Sequence, residues 1–160
     1  IVAPRYDVSA YVDYRGADGT YRKYRIVFVD GTAYPYHLAI DRAWMIHYHR
    51  TPMAAEPAWR ADEARFLEEP AAVLGSWTGA VRTVGAALGL DYVGIDCAQM
   101  PDGRLMVFEA DAAMLVHGLD PDGTGAYKQP AFERIRTAFH ALLDGRAAGA
   151  QPLPGGGRLS

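Results

Sequence analysis

The stretch Asp91-Tyr92-Val93-Gly94-Ile95-Asp96-Cys97-Ala98-Gln99-Met100-Pro101-Asp102-Gly103-Arg104-Leu105-Met106-Val107-Phe108-Glu109-Ala110-Asp111 decides the fold. Two strand-like runs, Tyr92 to Gln99 and Arg104 to Asp111, flank the turn residues Pro101-Asp102-Gly103. With Asp102-Gly103 as a two-residue turn, Pro101 lies opposite Arg104, Cys97 opposite Phe108, Asp96 opposite Glu109 and Gly94 opposite Asp111. Opposed residues share a sheet face, and successive side chains alternate. Asp96, Glu109 and Asp111 then converge on one side. Ile95, Cys97, Phe108 and Ala110 form the apolar other side, and Gly94 leaves space beside Asp111. A three-residue loop would instead set Asp96 against Phe108 and break the cluster. Like charges placed opposite each other destabilise a hairpin. A hard cation such as Mg²⁺ would offset that repulsion. Acid/base chemistry by a carboxyl of raised pKa and a solvated acidic face are the other readings, and spacing leaves all three open.

Outward from this hairpin, Tyr21 to Val29 and Thr32 to Ile40 read as strands around Asp30-Gly31, a type I′ turn signal. Asp7 to Tyr14 alternates like a further strand, followed by a turn cluster at Gly16 to Gly19. Ala43 to His49 reads either as a strand or as an irregular segment. Asp62 to Glu69 reads as a short helix stopped by Pro70. Ala71 to Leu88 carries apolar residues at helical spacing and ends at Gly89, a C-terminal capping glycine. Pro130 to Asp144 is a final helix ended at Gly145, and residues 145–160 read as a flexible Gly/Pro-rich tail. Strand runs separated from helices predict an α+β fold with an antiparallel sheet and packed helices.

The 160 residues are half hydrophobic, 22% charged and carry a formal net charge of -3. That composition suits one globular domain and points away from nucleic acid or a membrane surface as the main partner. The single cysteine, Cys97, offers no internal disulfide or zinc motif. It is expected to be buried and inert, and a cytoplasmic location is expected. Five histidines show no zinc-ligand spacing. Gly75, Gly79 and Gly85 lie inside a helix pattern rather than a phosphate loop.

The hairpin resembles the metal-binding end of ATP-grasp ligases, a superfamily that includes glutathione synthetase, D-alanine–D-alanine ligase and the ribosomal-protein glutamate ligase. The family signature is a Gly-Ile-Asp strand, a hairpin, then Glu-x-Asn. Gly94-Ile95-Asp96 and Glu109-Ala110-Asp111 match it, with Asp111 in place of Asn. The resemblance implies that Asp96, Glu109 and Asp111 bind magnesium, one ion or two, on the phosphates of ATP. Tyr21 to Gly31 resembles the family's basic strand. There the resemblance implies that Arg25 stabilises the transferring phosphoryl group and that Lys23 joins it at the phosphates. Period two places Lys23 and Arg25 on one face. The Asp30-Gly31 register sets His37 opposite Tyr24, on the Arg22 face. Arg22 and His37 are therefore candidates for substrate contact, as is His117, just beyond the ligand strand. Ser9 to Asp13 resembles the hinge that contacts adenine through backbone, here Tyr11 and Val12. Tyr34 to Ile40 and Trp44 to Tyr48 resemble a bacterial ATP-grasp subgroup of unassigned substrate.

The likeness implies an ATP- and Mg²⁺-dependent carboxylate–amine ligase acting through an acyl phosphate on small-molecule or peptide substrates. On this reading residues 1–144 are a partial ATP-grasp domain from the hinge onward. The opening Ile1-Val2-Ala3-Pro4, without an initiator Met, reads as a piece of a longer protein. Its preceding part is expected to complete the cleft, and the isolated chain is expected to be inactive. A non-catalytic module derived from the same fold and an α+β interaction domain are the alternatives.

Overall fold

The computed structural model describes residues 9–117 and 125–149. Four strands form one antiparallel sheet: β1 (Tyr21–Val29), β2 (Thr32–Asp41), β3 (Tyr92–Gln99) and β4 (Leu105–Asp111), in the spatial order β2-β1-β3-β4. With the helices packed on it, the class is the α+β fold read from the sequence. Asp30 and Gly31 turn β1 into β2 with φ of 48° and 74°, the positive values that a type I′ turn requires.

One sheet face is closed by α1 (Pro57–Glu68), α2 (Pro70–Leu74) and α3 (Thr78–Leu88). Tyr24, Ile26, Phe28, Leu38, Ile40, Val93, Ile95 and Cys97 meet Phe66, Leu74, Trp77 and Val81 there. This is the period-two set of β1, continued across its neighbours. α3 lies so close to the sheet that a Cβ on Gly85 would run into the Phe28 ring. Cys97 is buried, as expected.

The opposite face is covered only in part. At one end α4 (Gln129–Gly149) sets Ile135 over Val27 and Val29. At the other end Tyr14 and Ile46 pack on Tyr21, Ala39 and Ala98. Between them the floor of the sheet is polar and open.

Several expectations are corrected. Ser9 to Tyr14 pairs with no strand; Tyr14 anchors the segment by its ring instead. Of the two readings of Ala43 to His49, the irregular segment holds and the strand does not: the chain bends there, then runs through 3-10 turns at Tyr48–Arg50 and Pro52–Ala55. α1 starts at Pro57 rather than Asp62, with the proline in its first turn, where a missing N–H costs nothing. The long helix expected over residues 71–88 is broken at Gly75, whose φ of 51° no α-helix accepts. Gly89 caps α3 in the left-handed conformation, as read. α4 continues past Gly145 to Gly149, because Ala147 and Ala148 favour helix and Arg146 reaches Asp91 at 2.5 Å. The boundary drawn at residue 144 therefore falls inside a helix, and residues 150–160 lie outside the described part.

Both hairpin registers differ locally from the expected ones. β1 and β2 pair without a break up to Ile26↔Pro35, then Arg25 faces His37, so Tyr36 is an extra residue. Proline cannot donate to the ladder and is confined to edges and bulges; Pro35 accounts for the irregularity. His37 consequently lies opposite Arg25, not Tyr24. In the second hairpin Met100 pairs with Arg104 around a three-residue loop, with Gly103 at φ 84°. That loop shifts the register, and a second bulge at Phe108 shifts it back. Asp96 still faces Glu109 and Gly94 still faces Asp111, whereas Cys97 faces Val107 instead of Phe108. The space beside Gly94 is filled by the Met114 side chain.

Candidate functional site

The two bulges bracket a single row of side chains across the sheet: His37 on β2, Arg25 on β1, Asp96 on β3 and Glu109 on β4 are successive partners. The extra residues, Tyr36 and Phe108, stand on either side of this row and line a cavity of about 620 Å³. Bulges commonly re-aim side chains next to functional sites. The row forms part of the cavity floor; Tyr14, Tyr48, Lys128 and Gln129 belong to its surround.

Asp96 is 1% exposed and is the electrostatic centre. Arg25 grips it with two parallel bonds, Nε to Oδ1 at 2.6 Å and Nη2 to Oδ2 at 2.8 Å. Lys23 Nζ adds a third contact at 2.8 Å. Burial alone would raise the Asp96 carboxyl; the hydrogen bonds of Arg25 and Lys23 outweigh it and hold the pKa at about 2. Arg25 Nη2 also lies 3.8 Å from Glu109 Oε1. Two protein cations therefore relieve the like-charge pairing that the sequence places across β3 and β4. Asp111 stands one pleat further along, and its Oδ1 accepts the Ala113 N–H at 2.8 Å. Among the described residues no group of three His, Cys, Asp or Glu side chains is gathered tightly enough to hold a metal ion.

His37 is buried between aromatic rings, 4.4 Å from Tyr48 and 5.1 Å from Tyr36. Burial first, and the Arg25 charge second, press its pKa well below 6.5, so the imidazole is neutral. His117 lines the same cavity, and its backbone N–H donates to the Tyr36 hydroxyl at 2.6 Å. The structure thus brings together Lys23, Arg25, His37, Asp96, Glu109 and His117. It does not bring in Arg22, which lies outside the cavity lining and pairs with Asp18 at 2.7 Å and Asp62 at 3.3 Å. Tyr11 and Val12 are exposed and also lie outside the lining; the Tyr11 hydroxyl bonds that of Tyr21 at 3.1 Å.

One group escaped the sequence reading. Glu63 on α1 is fully buried. It accepts the Leu38 N–H at 3.1 Å, the Tyr48 hydroxyl at 3.2 Å and the Tyr127 hydroxyl. Burial raises its pKa, and these bonds pull it partly back. Lys128 Nζ in turn donates to the Tyr48 hydroxyl at 2.6 Å. Glu63 thereby ties the edge of β2 to the cavity wall. Its signal was legible: it shares the apolar stripe of α1 with Trp59, Phe66 and Leu67, where a carboxylate needs buried partners.

No protein-family model, no curated protein and no solved structure matches this chain. Among the described residues, no helix is long and apolar enough to cross a membrane.

Proposed function

We propose that this chain carries the phosphate-stabilising strand and the carboxylate hairpin of an ATP- and Mg²⁺-dependent carboxylate–amine ligase of the ATP-grasp type. The observation that supports it is the row Arg25–Asp96–Glu109 on an open sheet floor, facing a cavity of about 620 Å³. A part-buried guanidinium that lines a cavity and is oriented by two carboxylates is preorganised to meet negative charge.

The residues fit magnesium to a definite extent. Mg²⁺ takes one or two carboxylates and fills its shell with phosphate oxygens and water. A carboxylate has about four lone-pair sites, and Arg25 and Lys23 occupy three on Asp96. One remains, and Glu109 beside it is exposed. Asp96 and Glu109 would hold the ion, whereas Asp111, the third carboxylate of the hairpin, lies outside the cavity lining and bonds the Ala113 N–H. When bound, magnesium would neutralise the nucleotide phosphates. The chain's own residues would do the rest. Lys23 and Arg25 bind phosphate, and Arg25 stabilises the transferring group. Tyr11 and Val12 are the proposed adenine hinge.

A second reading, a ligand-binding module without turnover, is favoured by the closed Lys23–Arg25–Asp96 triad, which also serves as a structural ion cluster. Calorimetric titration of the full-length protein with magnesium and a non-hydrolysable ATP analogue tests phosphate binding. Arg25→Met is expected to weaken affinity by about tenfold or more. Unchanged affinity in that variant would remove Arg25 from the phosphate site. Tight analogue binding without acyl-phosphate chemistry for any acid supplied would favour the second reading.

A further inference from the structure

The cavity has an apolar wall that phosphate binding leaves unused. Trp44, Met45 and Phe108 line it and are 50%, 57% and 41% exposed. Large apolar side chains that stay open to solvent on one concave surface mark a place where a ligand covers them. The wall is fixed in advance. Tyr14, itself buried, donates its hydroxyl proton to the Trp44 carbonyl and meets the Phe108 ring edge-on, with ring centres 5.0 Å apart. Tyr11 supports the Trp44 ring in the same edge-on manner at 5.6 Å. Phe108 is the bulged residue next to Glu109, so the wall adjoins the polar row.

Charge and shape together select the occupant. Asp96 and Glu109 are the carboxylates of the lining, and Lys23 and Arg25 answer them. Arg50 and Lys128 add positive charge to the same lining. The exposed Arg50 side chain has no hydrogen-bond or ion-pair partner among the described residues. The cavity therefore favours an anion that carries an apolar body. Exposed Trp and Phe rings are best covered by another ring, edge-on or offset, and a thioether also packs well against an aromatic edge. The proposed adenine contact, the Tyr11–Val12 backbone, lies outside this lining, which leaves the wall to the acid.

We propose that the acid substrate is an aromatic carboxylic acid, its ring seated on Trp44, Met45 and Phe108 and its carboxylate turned to the cations of the lining. This rests on the ligase reading above and adds the substrate class to it. The wall holds the ring and takes no part in the chemistry. An aliphatic acid with the same reacting group lacks that contact.

The test uses the full-length protein, with hydrocinnamate and propionate as probes that differ by one phenyl ring. Ligand-observed NMR titration is expected to show hydrocinnamate binding about tenfold or more tightly than propionate. Of the three tryptophans, Trp59 and Trp77 are buried and Trp44 is exposed. Trp44 emission is therefore expected to move to shorter wavelength with hydrocinnamate and to stay in place with propionate. The preference is expected to fall to about threefold or less in Trp44→Ser and in Met45→Ser, and to survive in Trp44→Phe. Both serine variants alter exposed side chains, so their thermal midpoints are expected to hold. Equal affinity for the two acids, or a preference that both serine variants keep, would overturn the proposal. Displacement of hydrocinnamate by the magnesium–ATP analogue would overturn it too, because the wall would then serve the nucleobase. Absence of analogue binding by the unsubstituted protein would count against the ligase reading instead, whichever acid the wall prefers.

Discussion

At the scale of the residue, Asp96 joins stability to function. Breaking a buried ion pair from one side leaves the partner charges uncompensated, at about 3–5 kcal/mol. Asp96→Asn is therefore expected to lose about 3 kcal/mol in urea unfolding; a loss within experimental error of zero would show that Lys23 and Arg25 do not depend on it. The pH dependence follows the same group. The Asp96 pKa of about 2 lies below the ordinary 3.8, so the unfolded chain takes up this proton more readily. The resulting stabilisation, about 2 kcal/mol, is present above the ordinary value and is lost as pH falls through 2. His37 acts in the same direction at higher pH. Its imidazole protonates in the unfolded chain near 6.5 but resists protonation when folded, so stability falls as pH drops below 6.5. Urea midpoints should decline from pH 7 to pH 5 and decline again in stronger acid. Asp96→Asn should shrink the second decline, to which Asp18, held low by Arg22, also contributes; His37→Phe should lose the first, and a first decline unchanged in His37→Phe would contradict the buried, neutral His37. Glu63→Ala should cost about 2–4 kcal/mol, since it removes the acceptor of the Leu38 N–H and of two tyrosine hydroxyls from a buried site. A cost under about 1 kcal/mol would mean that those groups find other partners.

At the scale of the element, the site is made by irregularities in otherwise regular strands. The Tyr36 and Phe108 bulges bring His37, Arg25, Asp96 and Glu109 into one row. The regular parts are legible in the sequence: alternation in β1 and β3, the Asp30-Gly31 turn and the Gly89 cap are local signals, and the structure has each of them. The opposition of Asp96 to Glu109 was also legible, though by an assumed two-residue turn. The real loop has three residues and the Phe108 bulge restores the pairing, a compensation that strand period does not encode. The bulge beside Pro35 has its signal in the proline itself, and it moves His37 from the Arg22 face, where strand period alone sets it, to a position opposite Arg25. Helix α3 was legible in pattern but not in closeness. Gly85 lies against the Phe28 ring, so Gly85→Ala should destabilise by about 1–3 kcal/mol through overpacking, even though alanine favours helix. A stabilised Gly85→Ala variant in thermal unfolding would show that α3 has room to move.

At the scale of the whole molecule, the sheet has one sealed face and one working face. Helices α1 to α3 close the first. On the second, α4 and the Tyr14–Ile46 cluster leave the polar row lining a cavity between them. That division puts the apolar core and the ionic site back to back on the same strands, so β1 contributes Ile26 and Phe28 to one and Lys23 and Arg25 to the other. The central claim is that the open face binds magnesium and nucleotide through the carboxylate hairpin. Glu109 is exposed and belongs to no apolar cluster, so its removal reports on the site rather than on folding. The most direct measurement is the magnesium dependence of ATP-analogue binding by the full-length protein and its Glu109→Ala variant. The account predicts magnesium-dependent binding that weakens by about tenfold or more in the variant, with the thermal midpoint held. Binding that ignores magnesium, or is the same in both proteins, would contradict it.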